Sequence, residues 1–281
     1  MIKAQIKSYA KLNLALHVIG KTSFLHRIET AVAFISLHDE IFVKEIRSNK
    51  HNILFSGKFS RNISKNNTIS ELLKILEKKK LLKDKKFKIK IIKKIPNKAG
   101  LGGGSMNAAS ILKYFVKKGV IKTSKKELIS ISKSIGSDVV LGLDLKNSIL
   151  NGRNEIKRFK NCKRFYTLII KPTFGCSTKE IYSKVKKFNN SRFDKPNKRM
   201  FNFDYLKKMG NSLEQIVFSK YPKLSKIKIF LEDSYAPIFV RMTGSGSAIV
   251  AYFQSKKRCD KAKKHFSKNY KNYWCISSKT I

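Results

Sequence analysis

The 281-residue sequence predicts an α+β fold in two domains, 1–158 and 159–281. Three patterns carry that expectation. In FKIKIIKKI (Phe87–Ile95) apolar residues alternate with Lys, as in a half-buried strand. The glycine-rich GLGGGS (Gly100–Ser105) follows, and the small and apolar residues of Asn107–Val116 then suit a helix packed closely on a sheet. In the second half, the predicted elements run strand, helices, strand, strand, helix, strand, a ferredoxin-like order.

The stretch Pro96–Ala109, PNKAGLGGGSMNAA, organises the first domain. Its glycines let the backbone approach an anion and take positive φ, and the following helix N-terminus offers free N–H groups and the positive end of a dipole. That is a phosphate-binding layout. It is not a Walker A loop, because no Lys follows the glycines. Nor is it a dinucleotide fingerprint, because counting from Gly100 the third glycine position falls on Ser105.

Composition narrows the class. Hydrophobic residues make up 42% and charged residues 28%, as in ordinary soluble proteins. No apolar run approaches the about 18 residues of a membrane helix, and MIKAQIKSYA lacks the apolar core of a signal peptide. Cys162, Cys176, Cys259 and Cys275 are scattered without metal spacing and read as reduced thiols of a cytoplasmic protein. The net charge of +44 comes from 62 basic against 18 acidic residues. Nucleic-acid binding is one explanation. Compositional drift is favoured, because the cations are mostly Lys, spread along nearly the whole chain, with no RNA-binding aromatic signature or zinc-finger spacing. The charge would still draw anionic substrates.

In chain order, residues 2–19 read as strands around a short turn. Lys11 and Asn13 share one side of AKLNL there, which could line a site but on pattern alone reads as a pair of exposed edge residues. Lys21–Thr30 reads as a loop holding His26, and AVAFISLHDEIFVKEI as a strand pair. A helix follows Asn66, with Thr68 or Ser70 as cap, and another follows Thr123 and stops at Gly136. Asp138, in GSDVV, would by itself be an N-cap or Asx-turn residue. Ser148–Arg158 reads as a hairpin around Gly152. Tyr166–Phe174 is a strand broken at Pro172, and a helix capped by Ser177 or Thr178 follows. Lys186–Phe203 reads as a polar surface loop. Helices over Asn211–Tyr235 lead to a strand, the glycine turn Thr243–Ser247 and a second strand. A basic helix and the strand YWCIS close the chain.

Taken in order, AKLNL, P-x3-GLGGGS-x-NAA, G-x-D-V and M-T-G-S-G-S resemble the superfamily of galactokinase, homoserine kinase, mevalonate kinase and phosphomevalonate kinase (GHMP kinases). The likeness covers nearly the whole chain. It is nearest to the branch that serves non-mevalonate isoprenoid synthesis, through Ala10–Leu14, Gly102–Gly104, Met242–Gly246, Tyr182 soon after Ser177-Thr178, and Asn211-Ser212-Leu213-Glu214. The resemblance implies a ribosomal-protein-S5-domain-2-like N-terminal domain and a ferredoxin-like C-terminal domain. It further implies an ATP- and Mg2+-dependent kinase acting on the 2-hydroxyl of a cytidine-diphosphate methylerythritol.

The same resemblance assigns roles to residues. Asp138 becomes the catalytic acid-base group with Lys11 beside it. Pro96, Ala99, Gly100, Leu101, Gly102, Gly103, Gly104, Ser105 and Asn107 line the ATP phosphates, with Ser105 near the metal and Asn67 and Lys94 at the adenosine rim. Asn13, His26, Thr178, Tyr182, Gly244, Ser245 and Gly246 face the substrate, His26 and Tyr182 at the cytosine. Some residues depart from the pattern. Leu25 stands where the family has a Tyr, with Phe24 as a neighbouring substitute; Val140 replaces a Pro, Lys98-Ala99 a glycine-rich stretch, and Asn154 a Gly. The alternatives are another small-molecule kinase of the superfamily or a basic RNA-binding protein. The expected partner is the small-molecule substrate, without membrane or specific nucleic acid, and the chain is a monomer or homodimer.

Overall fold

The computed structural model describes residues 4–23 and 25–281. The chain packs as two units. One comprises Met1–Ala10, Leu37–Asn97 and Gly102–Leu145; the other comprises Lys11–Ser36, Lys98–Leu101 and Lys146–Ile281. Each is therefore assembled from separated stretches. Two long strands, β1 (Ala4–Lys21) and β2 (His26–Ile46), pair with each other and run through both.

In the first unit, β3 (Asn52–Ser56) lies parallel to β4 (Lys86–Ile92), and β4 pairs antiparallel with Glu40–Ile46 of β2. β4 buries Phe87, Ile89 and Ile91 and leaves Lys88 and Lys90 exposed, as the period-2 pattern of FKIKIIKKI requires. Four helices complete the unit: α1 (Thr68–Lys78), α2 (Gly103–Lys117), α3 (Lys125–Ile135) and α4 (Ser137–Gly142). Leu72, Leu73 and Leu76 of α1 and Ile111, Leu112 and Phe115 of α2 join Ile89 and Ile91 in one core.

The second unit holds the first part of β2 paired with β5 (Asn147–Leu150), and β5 paired with β6 (Ile156–Phe159). Its other sheet is β7 (Tyr166–Lys171), β8 (Phe239–Met242), β9 (Ile249–Phe253) and β10 (Trp274–Lys279), in the order β10-β7-β9-β8, antiparallel throughout. Fourth-first-third-second is the ferredoxin-like arrangement. The helices of this unit are α5 (Thr178–Ser183), α6 (Phe203–Lys207), α7 (Glu214–Lys220), α8 (Pro222–Tyr235) and α9 (Lys256–Asn269). Leu224, Ile227 and Leu231 of α8 and Ala262 and Phe266 of α9 cover Leu168, Ile170, Val240 and Ala251 of the sheet. No helix among the described residues is long and apolar enough to cross a membrane.

Five local expectations are corrected. Residues 4–21 form one unbroken strand rather than strands around a turn, and His26–Ile46 is likewise one strand rather than a pair. His26 accordingly begins β2 and does not sit inside a loop. The cap of α1 is Asn67, whose Oδ1 accepts from Ile69 N and Ser70 N while the Ser70 hydroxyl accepts from Asn67 N. Lys186–Phe203 is not merely a surface loop, because Phe193, Met200 and Phe201 are buried. Its anchor is Glu29. That fully buried carboxylate accepts from Ser191 Oγ, Arg192 N, Phe193 N and Gly152 N, so no lone pair is left to pay the cost of dehydration unaided.

Candidate active site

In the first unit, β4 delivers the chain to the phosphate loop. Asp39, fully buried, accepts from the backbone N–H groups of Lys94 and Ile95 at 2.7 and 2.8 Å, pairs with Lys93 Nζ, and accepts from Asn107 Nδ2 at 3.0 Å. One carboxylate thus ties the end of the strand to the start of the helix. Gly102, at φ +67°, caps α2 without any side chain on its first N–H groups. Those groups have no intrahelical partner, so the helix start is left open to an anion. A Cβ on Gly103 would stand 3.1 Å from Ile95 and 3.2 Å from Lys93 Nζ, and Thr68 Oγ1 donates to Gly104 O at 2.9 Å.

Ser105 lies in the first turn of α2, half-buried. Asp138 lies in the first turn of α4, half-buried, behind Gly136. α4 packs directly on α2: a Cβ on Gly142 would come within 2.7 Å of Ala109 Cβ and 3.0 Å of Met106 Sδ. The unit therefore brings the phosphate helix and the Asp138 turn together. Asn67 and Lys94 also make local contacts. The Asn67 amide is spent on its cap and on the carbonyls of Ser64 and Lys65, and Lys94 Nζ pairs with Glu40 at 2.6 Å.

The second unit gathers Lys11, Asn13 and the other glycine turn. Lys11 and Asn13 are buried, not edge residues, and Lys11 Nζ donates to Asn13 Oδ1 at 2.6 Å. Asn13 N donates to Thr243 Oγ1 at 3.0 Å, and that hydroxyl donates to Gly100 O at 3.1 Å. Lys11 N donates to Leu101 O, and Ala248 N to Ala99 O. Gly100 is required here: at φ +73°, its Cβ would lie 1.9 Å from Thr243 O. Gly244, at φ +56°, passes 3.2 Å from Gly100 Cα and 3.3 Å from Asn13 Oδ1 by the same measure. Asn211 Nδ2 holds the turn by donating to Met242 O and Gly244 O, each at 2.8 Å.

His26 and Tyr182 come together, their ring centroids 5.2 Å apart at 47°. Burial, and then Lys21, hold the His26 pKa below its ordinary value, which favours the neutral imidazole. Thr178 Oγ1 and Ser245 Oγ share a hydrogen bond of 2.9 Å. Leu25 is 74% exposed, and Phe24 lies outside the described residues. Two of the departures from the family pattern, Lys98 at φ +49° and Asn154 at φ +60°, keep the left-handed backbone that a Gly would take. Sequence reasoning passed over Thr30, Thr243 and Asp39. Thr30 follows Glu29, Asp39 stands between His38 and Glu40, and Thr243 opens the glycine turn, so none of the three stands out from its neighbours.

Comparison with known proteins agrees with this architecture. The GHMP kinases N terminal domain matches residues 67–147 and GHMP kinases C terminal matches 185–272. The 4-diphosphocytidyl-2-C-methyl-D-erythritol kinase of Pelagibacter ubique (strain HTCC1062) is 54% identical over 277 residues, 99% of each chain. The protein of that name from Petrotoga mobilis (strain DSM 10674 / SJ95) is 34% identical over 254 residues, 87% of this chain and 96% of its own. A crystal structure of a 4-(cytidine 5'-diphospho)-2C-methyl-D-erythritol kinase, 23% identical, shares the fold with a TM-score of 0.79 over 99% of this chain and 100% of the other. The chain belongs to the GHMP kinases, in the family of 4-diphosphocytidyl-2-C-methyl-D-erythritol kinases. As a kinase it uses ATP.

Proposed function

We propose that the chain transfers the γ-phosphoryl group of ATP to the 2-hydroxyl of 4-diphosphocytidyl-2-C-methyl-D-erythritol, as a cytoplasmic enzyme of isoprenoid-precursor synthesis, either monomeric or homodimeric. The observation that carries this is the 54% identity, end to end, with the Pelagibacter ubique kinase of that substrate. The division at 158/159 into an ATP side and a substrate side agrees with the two family models falling on either side of it.

Phosphoryl transfer asks a protein mainly for positioning and charge compensation. Asp138 accepts the proton of the attacking hydroxyl, and Lys11 is the second catalytic residue, its ammonium compensating charge during the transfer. The backbone of Ala99–Ser105, with Pro96 and Asn107 beside it, cradles the ATP phosphates; the uncapped start of α2 and its glycines support this. Asn67 and Lys94 flank the adenosine. His26 and Tyr182 hold the cytosine, which their ring contact supports. Asn13, Thr178 and Gly244–Gly246 line the rest of the acceptor. Among the described residues no three His, Cys, Asp or Glu side chains gather as a metal cage. A Mg2+ ion held chiefly by phosphates, with the Ser105 oxygen nearby, fits that donor set. When bound, it neutralises charge on the phosphates.

Purified protein given ATP, Mg2+ and, in parallel, the cytidine substrate, homoserine or mevalonate tests the acceptor. ADP release is expected with the cytidine substrate at least about 100-fold faster in kcat/KM than with either other alcohol. Equal or preferred use of another acceptor would overturn the assignment. Neither alternative weighed from the sequence is favoured by a specific observation.

A further inference from the structure

We infer that Thr30 is a positioning residue of the phosphoryl transfer: its buried hydroxyl fixes which way the Asn13 amide faces, and through Asn13 it holds the Lys11 ammonium. This rests on the kinase reading above and goes beyond it, since Asn13 was there a residue of the substrate wall.

The inference follows from the direction of three hydrogen bonds within one unit. Thr30 Oγ1 donates to Ala15 O at 2.7 Å, and a carbonyl oxygen can only accept. The hydroxyl has a single proton, so towards any other neighbour it is an acceptor. Asn13 must therefore present its amino group there, and Nδ2 lies 2.8 Å away. That choice turns Oδ1 to the opposite side, towards Lys11 Nζ at 2.6 Å. An ammonium can only donate, so it demands an acceptor at that position. The two ends of the chain agree on one orientation of the amide.

Among the described residues, the Asn13 amino group has the Thr30 hydroxyl as its partner. Thr30 is 1%, Asn13 2% and Lys11 4% exposed, so water does not compete for these groups. The Asn13 backbone is already held through its N–H on Thr243 Oγ1. Only the side-chain torsion is left to be set, and Thr30 sets it. Pairing of β2 with β5, Thr30 opposite Leu150, holds Thr30 itself in place. With the hydroxyl removed, the Asn13 amino group loses its buried acceptor and the amide is no longer anchored from that side. Lys11 then hydrogen-bonds an amide whose position is no longer fixed.

The test is a kinetic cycle on the full chain with ATP, Mg2+ and the cytidine substrate. Wild-type turnover examines the kinase reading by itself; the variants examine Thr30. Thr30→Val keeps the shape and removes the hydroxyl. It is expected to lower kcat about 30-fold, with both KM values within about threefold. Thr30→Ser restores kcat to within about threefold. In an Asn13→Ala background, Thr30→Val is expected to change kcat by less than about twofold, because its route to Lys11 is gone. Thr30→Cys, of similar shape but a weak acceptor, should fall between Ser and Val and stands in if the Val variant does not fold. A Val or Cys variant as active as wild type overturns the inference. So does a loss of the same size in both backgrounds, which would mark Thr30 as a merely structural residue.

Discussion

His17 shows what one buried side chain does to the pH response. It is 7% exposed, lies 5.6 Å from the Phe193 ring, and its Nδ1 meets no hydrogen-bond partner among the described residues. Burial holds its pKa below the ordinary 6.5; Glu29 works against that, and Arg192 and Arg241 reinforce it. The unfolded chain therefore takes up a proton near pH 6.5 and the folded chain only at lower pH. Stability is complete above 6.5 and is lost as pH falls through the folded value. His26 and His51 are shifted the same way, both chiefly by burial. The melting temperature should thus fall between pH 7.5 and 5.5, above the range where carboxylates titrate, and His17→Gln should shallow that fall without removing it. A flat wild-type profile in thermal melts would contradict this. At this scale Lys11 and Asn13, two apart in a strand, were visible as a pair, but their pattern alone pointed to an exposed edge and not to the buried positions they hold. Thr30 was not legible, because its partners lie across a strand pair, and register between two long strands leaves no local mark.

Among elements, the glycine turns distinguish conformational need from close approach. Gly100 and Gly119 both have positive φ, +73° and +66°. A Cβ on Gly119 meets nothing within 4 Å, whereas one on Gly100 would strike the Thr243 carbonyl. Gly119→Ala should cost only the left-handed strain, about 1 kcal/mol, read as a fall of about 2–4 °C in Tm with kcat/KM unchanged. Gly100→Ala should cost considerably more in Tm and lower kcat/KM by more than about 100-fold, since the two glycine turns can no longer touch. Equal effects from the two substitutions would show that the close approach does not matter. The loop itself was plain in the sequence, as were the ferredoxin-like order and the Gly152 hairpin. The long strands were not, since β1 and β2 bury residues of both faces over much of their length and so lose the alternation that marks a strand's limits. The polar stretch 186–203 hid Phe193 and Phe201 because its anchor, Glu29, is remote in sequence.

For the whole molecule, the domain count was legible and the way the chain is shared between units was not. Residues 11–36 and 98–101 pack with the C-terminal half, a consequence of tertiary pairing that composition does not signal. The chain has 62 basic against 18 acidic residues, and several carboxylates are held ionised by lysines, Glu180 by Lys220 and Glu77 by Lys86 among them. Under the proposed function, Asp138 and Lys11 serve the transfer of phosphate to one alcohol. A single-turnover reaction with ATP, Mg2+ and 4-diphosphocytidyl-2-C-methyl-D-erythritol, followed by 31P NMR of the product, tests it most directly. One new phosphomonoester on the 2-hydroxyl per enzyme is expected, with Asp138→Ala and Lys11→Ala each slower by about 1,000-fold or more. A phosphate on another oxygen, or an Asp138→Ala enzyme that reacts at the wild-type rate, would contradict it.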